Sequence, residues 1–482
     1  MLVLLLVGCG NHVEQYWPQS LDDLKGHKVG LLEGSGQQHF LMTEYNDPDI
    51  ECLCYPSRTD AITAVVQNKA DVAILTESEI YDETFRRMNL TLSGKIPEVQ
   101  YDIAFAVRKG NTSLTGELSQ VIDSLKADGT IDDMIGRWMN PENFDYRQKV
   151  VLPPMPVQPE QTEKLLRIGI ADVKPPYEVM IDNRWTGYEI ELLQRFAEVY
   201  GYSLKLELYQ FNNLIPALET GKIDVICSSF FVNEERMRKV DFATSHYRLT
   251  AAFCVYDRSA ASKENMWSRI CESVHYSLIV ENRWKLIVEG FWATMKISIL
   301  ALLLGSLLGA VVCRMRMGRN RVLRKTAEIY VTILRNLPML VLLLIMYYVL
   351  FAHSGLSATV VSILAFAVGS SAYYCEVFRT GIQSVDRGQM EAGRALGFSD
   401  FKAFFLIVAP QAAVRALPVY KNECISLLKG TAVVGYISVL DMTKASDLIR
   451  NSSLEAFFPL LVISVLYFLI AWGISAFLDR FV

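Results

Sequence analysis

Few side chains of this 482-residue chain are spaced for chemistry on a bound substrate. The nine cysteines form no C-x-x-C pair and no Cys/His metal spacing. Cys52 and Cys54, two apart, share one face of an extended segment, a spacing that disfavours a bond between them. His39, His246 and His275 are scattered and read as satisfied surface or core residues. No phosphate-cradling G-x4-G-K-[ST] loop occurs. With no assembled nucleophile, metal cluster or acid pair, the chain is disfavoured as an enzyme. The stretch that does carry a spacing is Glu391-Ala-Gly-Arg-Ala-Leu-Gly397, followed by Ile407-Val-Ala-Pro410. It predicts a short helix with a small face at Ala392, Gly393 and Ala395 and a stop at Gly397, which lets another surface approach closely. An ordinary amphipathic helix with a glycine cap is the plainer alternative.

The elements that must hold this stretch are apolar. Hydrophobic residues make up 51% of the chain, and the apolarity concentrates in the C-terminal part. Expected membrane spans are Leu286 to Val312, Ile329 to Phe351, Leu356 to Phe378, a weaker one near Ile425 to Leu440, and Phe457 to Leu478. The fourth is interrupted by Lys429 and Gly430 and is expected to pack inside the bundle. After the first span come Arg314, Arg316, Arg319, Arg321, Arg324 and Lys325, which place that loop in the cytoplasm and everything before Leu286 outside. Counting onward puts the Glu391 stretch inside as well. Cys313, Cys375 and Cys424 fall at or within spans and read as small apolar residues. The net charge of −5 does not point to nucleic acid.

The first residues, through Leu6-Val-Gly-Cys9, end like a lipoprotein leader, which would tether the chain outside at an acylated Cys9; a short apolar N-terminus without such a role is the alternative. Two soluble segments follow, separated by Val151-Leu-Pro-Pro-Met-Pro-Val-Gln-Pro159, an extended linker. Each alternates short β-like runs with helical patterns, as in Leu166-Arg-Ile-Gly-Ile170 followed by 187–200, an α/β signature. The expected division is a tether at 1–20, soluble segments at 21–150 and 166–258 around a linker at 151–165, a connector at 259–285 and the membrane part at 286–482.

The Glu391 stretch resembles the cytoplasmic loop, E-A-A-x3-G-x9-I-x-L-P, by which membrane subunits of ABC importers dock on their ATPase, with Gly393 and Ala409 departing from it. Around it, Arg335-Asn-Leu-Pro338, Ala372-Tyr-Tyr-Cys-Glu-Val-Phe-Arg379, Gly381-Ile-Gln-Ser-Val385, Gly388-Gln389, Pro410-Gln-Ala412 and Leu428-Lys-Gly-Thr431 resemble the permease of polar amino-acid importers. The resemblance implies an all-α transmembrane domain of about five helices, docking through Glu391, Ala392, Gly393 and Gly397 on a dimeric ATPase. It implies a bacterial inner-membrane location, no cofactor in this chain (ATP binds the partner) and, by symmetry with the paired ATPase, a homodimer.

The segment 166–255 resembles the first lobe of a periplasmic amino-acid-binding protein, through Pro175-Pro-Tyr177, Gly187-Tyr-Glu189, Leu214-Ile-Pro-Ala-Leu218, Gly221-Lys-Ile-Asp224 and Ser228-Ser-Phe-Phe-Val-Asn-Glu-Glu-Arg236. The segment 21–139, with Leu24-Lys-Gly-His-Lys-Val-Gly-Leu-Leu-Glu-Gly-Ser-Gly36 and Tyr101-Asp-Ile-Ala-Phe-Ala-Val-Arg-Lys109, resembles the second lobe. In such proteins the first lobe comes first, so the resemblance implies one circularly permuted bilobed domain; two incomplete domains are the alternative. One inter-lobe strand would be cut, leaving Ala104 to Arg108 as the hinge. The implied ligand contacts are Arg236 to the α-carboxylate with Ser229 assisting, Phe231 where a small hydroxyl residue is usual, Tyr177, and Ser35 and Gln37 across the cleft. Thr76 stands where an Asp usually holds the amine, beside Glu77, which either substitutes or is a surface residue. The function implied is uptake of a small polar solute, most simply an amino acid, by a fused extracytoplasmic binding domain and permease. A ligand-gated channel or membrane-bound solute sensor built on the same domain is the alternative.

Overall fold

The computed structural model describes residues 15–81, 83–139, 164–259, 266–455 and 457–481. The expected lipidation site at Cys9 and the Pro-rich run at 151–159 lie outside the described residues. Ahead of the membrane helices stand two five-stranded sheets and a hairpin. In chain order the strands are β1 (Lys28–Leu32), β2 (Glu51–Tyr55), β3 (Val72–Thr76), β4 (Leu90–Ile103), β5 (Ala106–Arg108), β6 (Leu165–Ile170), β7 (Val179–Ile181), β8 (Arg184–Thr186), β9 (Ser203–Leu208), β10 (Val225–Ile226), β11 (Val240–Phe242) and β12 (Tyr247–Tyr256). The first sheet runs β2-β1-β3-β12-β4 and the second β11-β5-β10-β6-β9, while β7 and β8 pair with each other.

Each sheet takes one strand from the other sequence segment. β12 inserts antiparallel between β3 and β4, with Phe253 opposite Ile74 and Leu249 opposite Tyr101. β5 in turn pairs antiparallel with β10 and β11. The exchange follows from burial: β3 is buried along its whole length, and an apolar strand covered on both faces needs ladder partners on both edges. The chain therefore passes between the sheets twice, at residues 104–105 and at 243–246. This corrects the expectation of a single surviving hinge. Tyr247–Tyr256, assigned by sequence to the first lobe, belongs to the sheet of the other segment.

The helices Thr112–Ala127 and Thr130–Trp138 return across the second sheet and pack on the Tyr188–Tyr200 helix. Buried Glu191 locks this corner, accepting from Arg137 Nη2 at 2.9 Å, Arg195 Nη2 at 2.7 Å and Trp138 Nε1 at 2.7 Å. Three donors on one carboxylate offset its desolvation and hold its pKa below the ordinary value.

The C-terminal part is helical. Among the described residues, four helices are long and apolar enough to cross a membrane: Trp284–Arg316, Ala358–Gln383, Asp400–Ile437 and Phe458–Leu478. The expected span at Ile329 to Phe351 is instead a bent pair, Arg321–Asn336 and Met339–Leu350, meeting at 109°. Pro338 cannot donate a backbone bond and drives Leu337 into an extended conformation (φ −89°, ψ 130°), which ends the first helix. The fourth span begins well before Ile425, at Asp400, and carries Lys429 and Gly430 near its end. Small residues bring the bundle together: a Cβ on Gly309 would lie 2.8 Å from Tyr374 Cβ, and one on Gly290 2.6 Å from the Asp441 carbonyl oxygen. Between the last two spans lies the short helix Met442–Ser453, capped by Asp441, whose carboxylate accepts from the backbone of Thr443 at 3.2 Å and Lys444 at 2.9 Å.

Candidate functional site

Where the two sheets face each other, a cavity of about 240 Å³ opens. Its lining comes from three directions. Ser35, Gly36, Gln37, Arg58, Asp60 and Glu79 come from the first sheet's side; Asp172, Lys174, Ser228, Ser229 and Phe231 come from the second; Tyr436, Lys444, Asp447, Arg450 and Asn451 come from the helical part. A cavity of this size suits a small solute rather than a drug-sized one.

Local backbone chemistry explains the first-sheet wall. After β1 the chain turns at Gly34 (φ +76°), and Ser35 caps the Gly36–His39 turn by accepting from Gln38 N at 3.2 Å. On the opposite wall Ser229 sits at φ +46°, a left-handed conformation costly for serine. Two buried carboxyl groups hold it there, as its N–H donates to Glu178 Oε1 at 2.9 Å and Glu189 Oε2 at 3.1 Å. Burial and the neighbouring Glu189 push Glu178 well above the ordinary carboxylate range. Behind this pair, His246 is enclosed between Phe105 and Tyr188, with Nε2 3.5 Å from Glu189 Oε1. Burial drives its pKa down to about 4, so the ring is neutral.

A charged network closes the cleft. Glu79 is buried and accepts from Arg58 Nη1 at 3.1 Å and Lys174 Nζ at 3.1 Å, and Thr76 donates to it as well. Arg58 also reaches the Val173 carbonyl at 3.3 Å, and Ser78 and Tyr177 share a hydrogen bond of 2.5 Å. The helical part joins through Arg450, which pairs with Asp60 at 2.6 Å and Asp447 at 3.3 Å, and through Asn451, which donates to Asp172.

The residues expected at the ligand divide in two. Ser35, Gln37, Ser229 and Phe231 line the cavity. Arg236, Tyr177, Thr76 and Glu77 are not part of its lining. Arg236 is buried behind Phe231, donating to the carbonyls of Phe231 at 3.1 Å and Gly34 at 2.8 Å, with its guanidinium over the Phe230 and Phe231 rings at 3.9 and 3.6 Å. A planar fork satisfied by two carbonyls and sandwiched by rings is turned away from a cavity carboxylate, and burial pulls its pKa below the ordinary value. Phe231 supplies both one of these carbonyls and one of the rings. Tyr177 is fully buried, and Glu77 pairs with Lys95 on the surface. Sequence reasoning missed Arg58, Glu79, Lys174, Asp172 and the whole helical contribution. The charged residues Lys444, Asp447 and Arg450 between two apolar spans were the available signal.

At the other candidate site, Arg387–Ala395 is a helix capped by Asp386, whose carboxylate accepts from Gly388 N at 2.6 Å. Gly397 ends it at φ +86°, with Phe398 N donating to the Gly393 carbonyl at 3.1 Å. Glu391 and Ala392 are exposed, as are Leu396, Phe398, Phe401, Phe405 and Leu406. Gly393 faces inward: a Cβ there would lie 2.9 Å from Ala403 Cβ and Ile407 Cδ1. It lets the helix lie on the next one and is not part of a free small face.

The helical part defines a membrane permease, and the chain belongs to a family described as the binding-protein-dependent transport system inner membrane component, whose model matches residues 301–482. Among individual relatives, the GlnP permease protein of Rickettsia bellii, named for a glutamine transport system, is 34% identical over 191 residues, 39% of this chain and 88% of the relative. The nopaline transport system permease protein NocM of Agrobacterium fabrum is 32% identical over 41% of this chain and 86% of its own length. The L-cystine transport system permease protein TcyB of Bacillus subtilis is 30% identical over 44% and 94%. A crystal structure of an amino acid ABC transporter with histidines shares 31% identity, covering 46% of this chain and 98% of that chain, with a TM-score of 0.39, so the sequence relationship carries the assignment. The protein is thus a transport component and not an enzyme, its transport powered by a separate ATPase.

Proposed function

We propose that this chain is a fused solute-binding domain and permease of an ATP-driven importer of amino acids or related small polar solutes. The observation that carries this reading is the cavity itself, closed between two sheets that exchange strands and lined on its remaining side by the permease. The strand exchange supports one permuted bilobed domain over two incomplete ones, because neither segment alone supplies both sheets. Ligand would enter when the lobes part about the two crossings at 104–105 and 243–246, and would meet Ser35, Gln37, Ser229 and Phe231. Arg236 acts as a closed-state brace between the Phe231 and Gly34 carbonyls rather than as a ligand contact. Glu391, Ala392 and the exposed aromatic residues after Gly397 are the surface offered to the ATPase, with Gly393 and Gly397 shaping it. The lobes lie outside the inner membrane, and two chains pair over the ATPase dimer.

The test is calorimetric titration of the full chain in lipid nanodiscs with a panel of amino acids, L-glutamine and L-cystine among them. Saturable binding of one or a few supports the reading. A folded chain that binds none of them overturns it.

A further inference from the structure

The cavity holds four cationic side chains, and three are committed. Arg58 and Lys174 both pair with Glu79 at 3.1 Å, and Arg450 pairs with Asp60 at 2.6 Å. Lys444 is different: among the described residues its ammonium has no hydrogen bond and no carboxylate within ion-pair distance, although it lines the cavity. The carboxylates divide in the same way. Asp60, Glu79 and Asp447 each have a cation, whereas among the described residues Asp172 takes only the Val173 N–H at 2.7 Å and the Asn451 amide. An uncommitted ammonium and an uncommitted carboxylate on one small cavity match the two ends of a zwitterion.

We infer that Lys444, on the permease helix Met442–Ser453, holds the ligand's α-carboxylate, with Asp172 of the binding domain facing the ammonium. This rests on the importer reading above and sharpens it: the recognition site is composite and complete only with the permease helix seated in the cleft. The helix is held there by Arg450 on Asp60 and by Asn451 on Asp172, contacts spanning 390 and 279 residues of sequence. Burial lowers the Lys444 pKa against the opposing field of Asp447, Asp172 and Asp441, and raises that of Asp172 to about 6 against Arg58 and Lys444, as expected of charges held in a poorly hydrated site without a contact ion pair among the described residues. A carboxylate that seats against Lys444 relieves that strain. Occupancy is then sensed by the element that joins two membrane spans.

The experiment is titration of the full chain in nanodiscs with L-glutamine and L-glutaminamide, and with any other amino acid bound in the panel and its α-carboxamide. The wild-type chain is expected to prefer the carboxylate form. Lys444→Met should weaken amino-acid binding about 10- to 100-fold and leave carboxamide binding little changed, with Lys444→Arg retaining most affinity. Amino-acid binding by Lys444→Met within about twofold of wild type would overturn the inference and leave the importer reading standing. Absence of amino-acid binding by the wild-type chain would remove both. If Lys444→Met does not give a monodisperse protein, Lys444→Gln is judged by the same criterion.

Discussion

Replacing His246 by Phe should change how the strand-exchanged sheet region responds to acid, and the size of the change can be worked out. The ring is enclosed by Phe105 and Tyr188, with centroids 4.7 and 5.6 Å away, so phenylalanine conserves the packing and removes the titration. Burial depresses the histidine from 6.5 to about 4. Its contribution to stability is therefore complete above the unfolded value and declines as pH falls toward 4, because the unfolded state binds the proton first. Between pH 7 and pH 5 the loss is about 2 kcal/mol, or roughly a 20- to 30-fold increase in opening. Glu178 acts in the opposite sense: its raised pKa keeps a proton bound in the native state, so its contribution grows as pH falls. The wild-type profile thus mixes both, and the informative quantity is the difference between variant and wild type, in which Glu178 cancels. Amide hydrogen exchange of the Tyr188–Tyr200 helix and of β12, corrected for intrinsic rates, reports the opening free energy of the elements around the ring. The variant should gain about 2 kcal/mol relative to wild type on going from pH 7 to pH 5. A difference that stays flat over that range would refute the claim that the native ring is held neutral.

Two further outcomes follow from packing and pairing. Glu191→Ala removes the buried acceptor shared by Arg137, Arg195 and the Trp138 indole, and should cost about 1–3 kcal/mol, read as faster proteolytic release of the Thr130–Trp138 helix; an unchanged cleavage rate would count against the lock. Gly309→Val should destabilise the bundle by about 1–3 kcal/mol or more, since its Cβ would meet Tyr374 Cβ at 2.8 Å and the Ser371 carbonyl oxygen at 2.9 Å, whereas Gly473→Ala, with nothing within 4 Å, should leave the thermal transition in nanodiscs unmoved.

Local physics made several parts readable from the sequence alone. Apolar length marked the first, third and last spans to within a few residues, because a helix that crosses lipid must satisfy its backbone internally and be apolar throughout. The glycine at 397 and the small residues before it identified a capped helix, since a positive φ excludes most other residues there. The fourth span was misplaced because Arg415, Lys421 and Lys429 interrupt its apolar run, and charges that find partners in the folded protein look like loops in sequence; Lys421, for example, meets Asp479 at 2.6 Å.

Tertiary structure alone decided the rest. Whether β12 joins its own segment or the other depends on which buried ladder lacks an edge partner, a contact set by residues far away in sequence. Arg236 has the fork for a carboxylate, but only the folded chain shows it satisfied by two carbonyls and capped by Phe231. No local pattern brings Arg450 to Asp60 across 390 residues. Residue types and periodicity determine which elements form and which charges are available; the direction each charge faces is fixed by non-local packing, and it is this that turns a loop between two spans into a wall of the cavity.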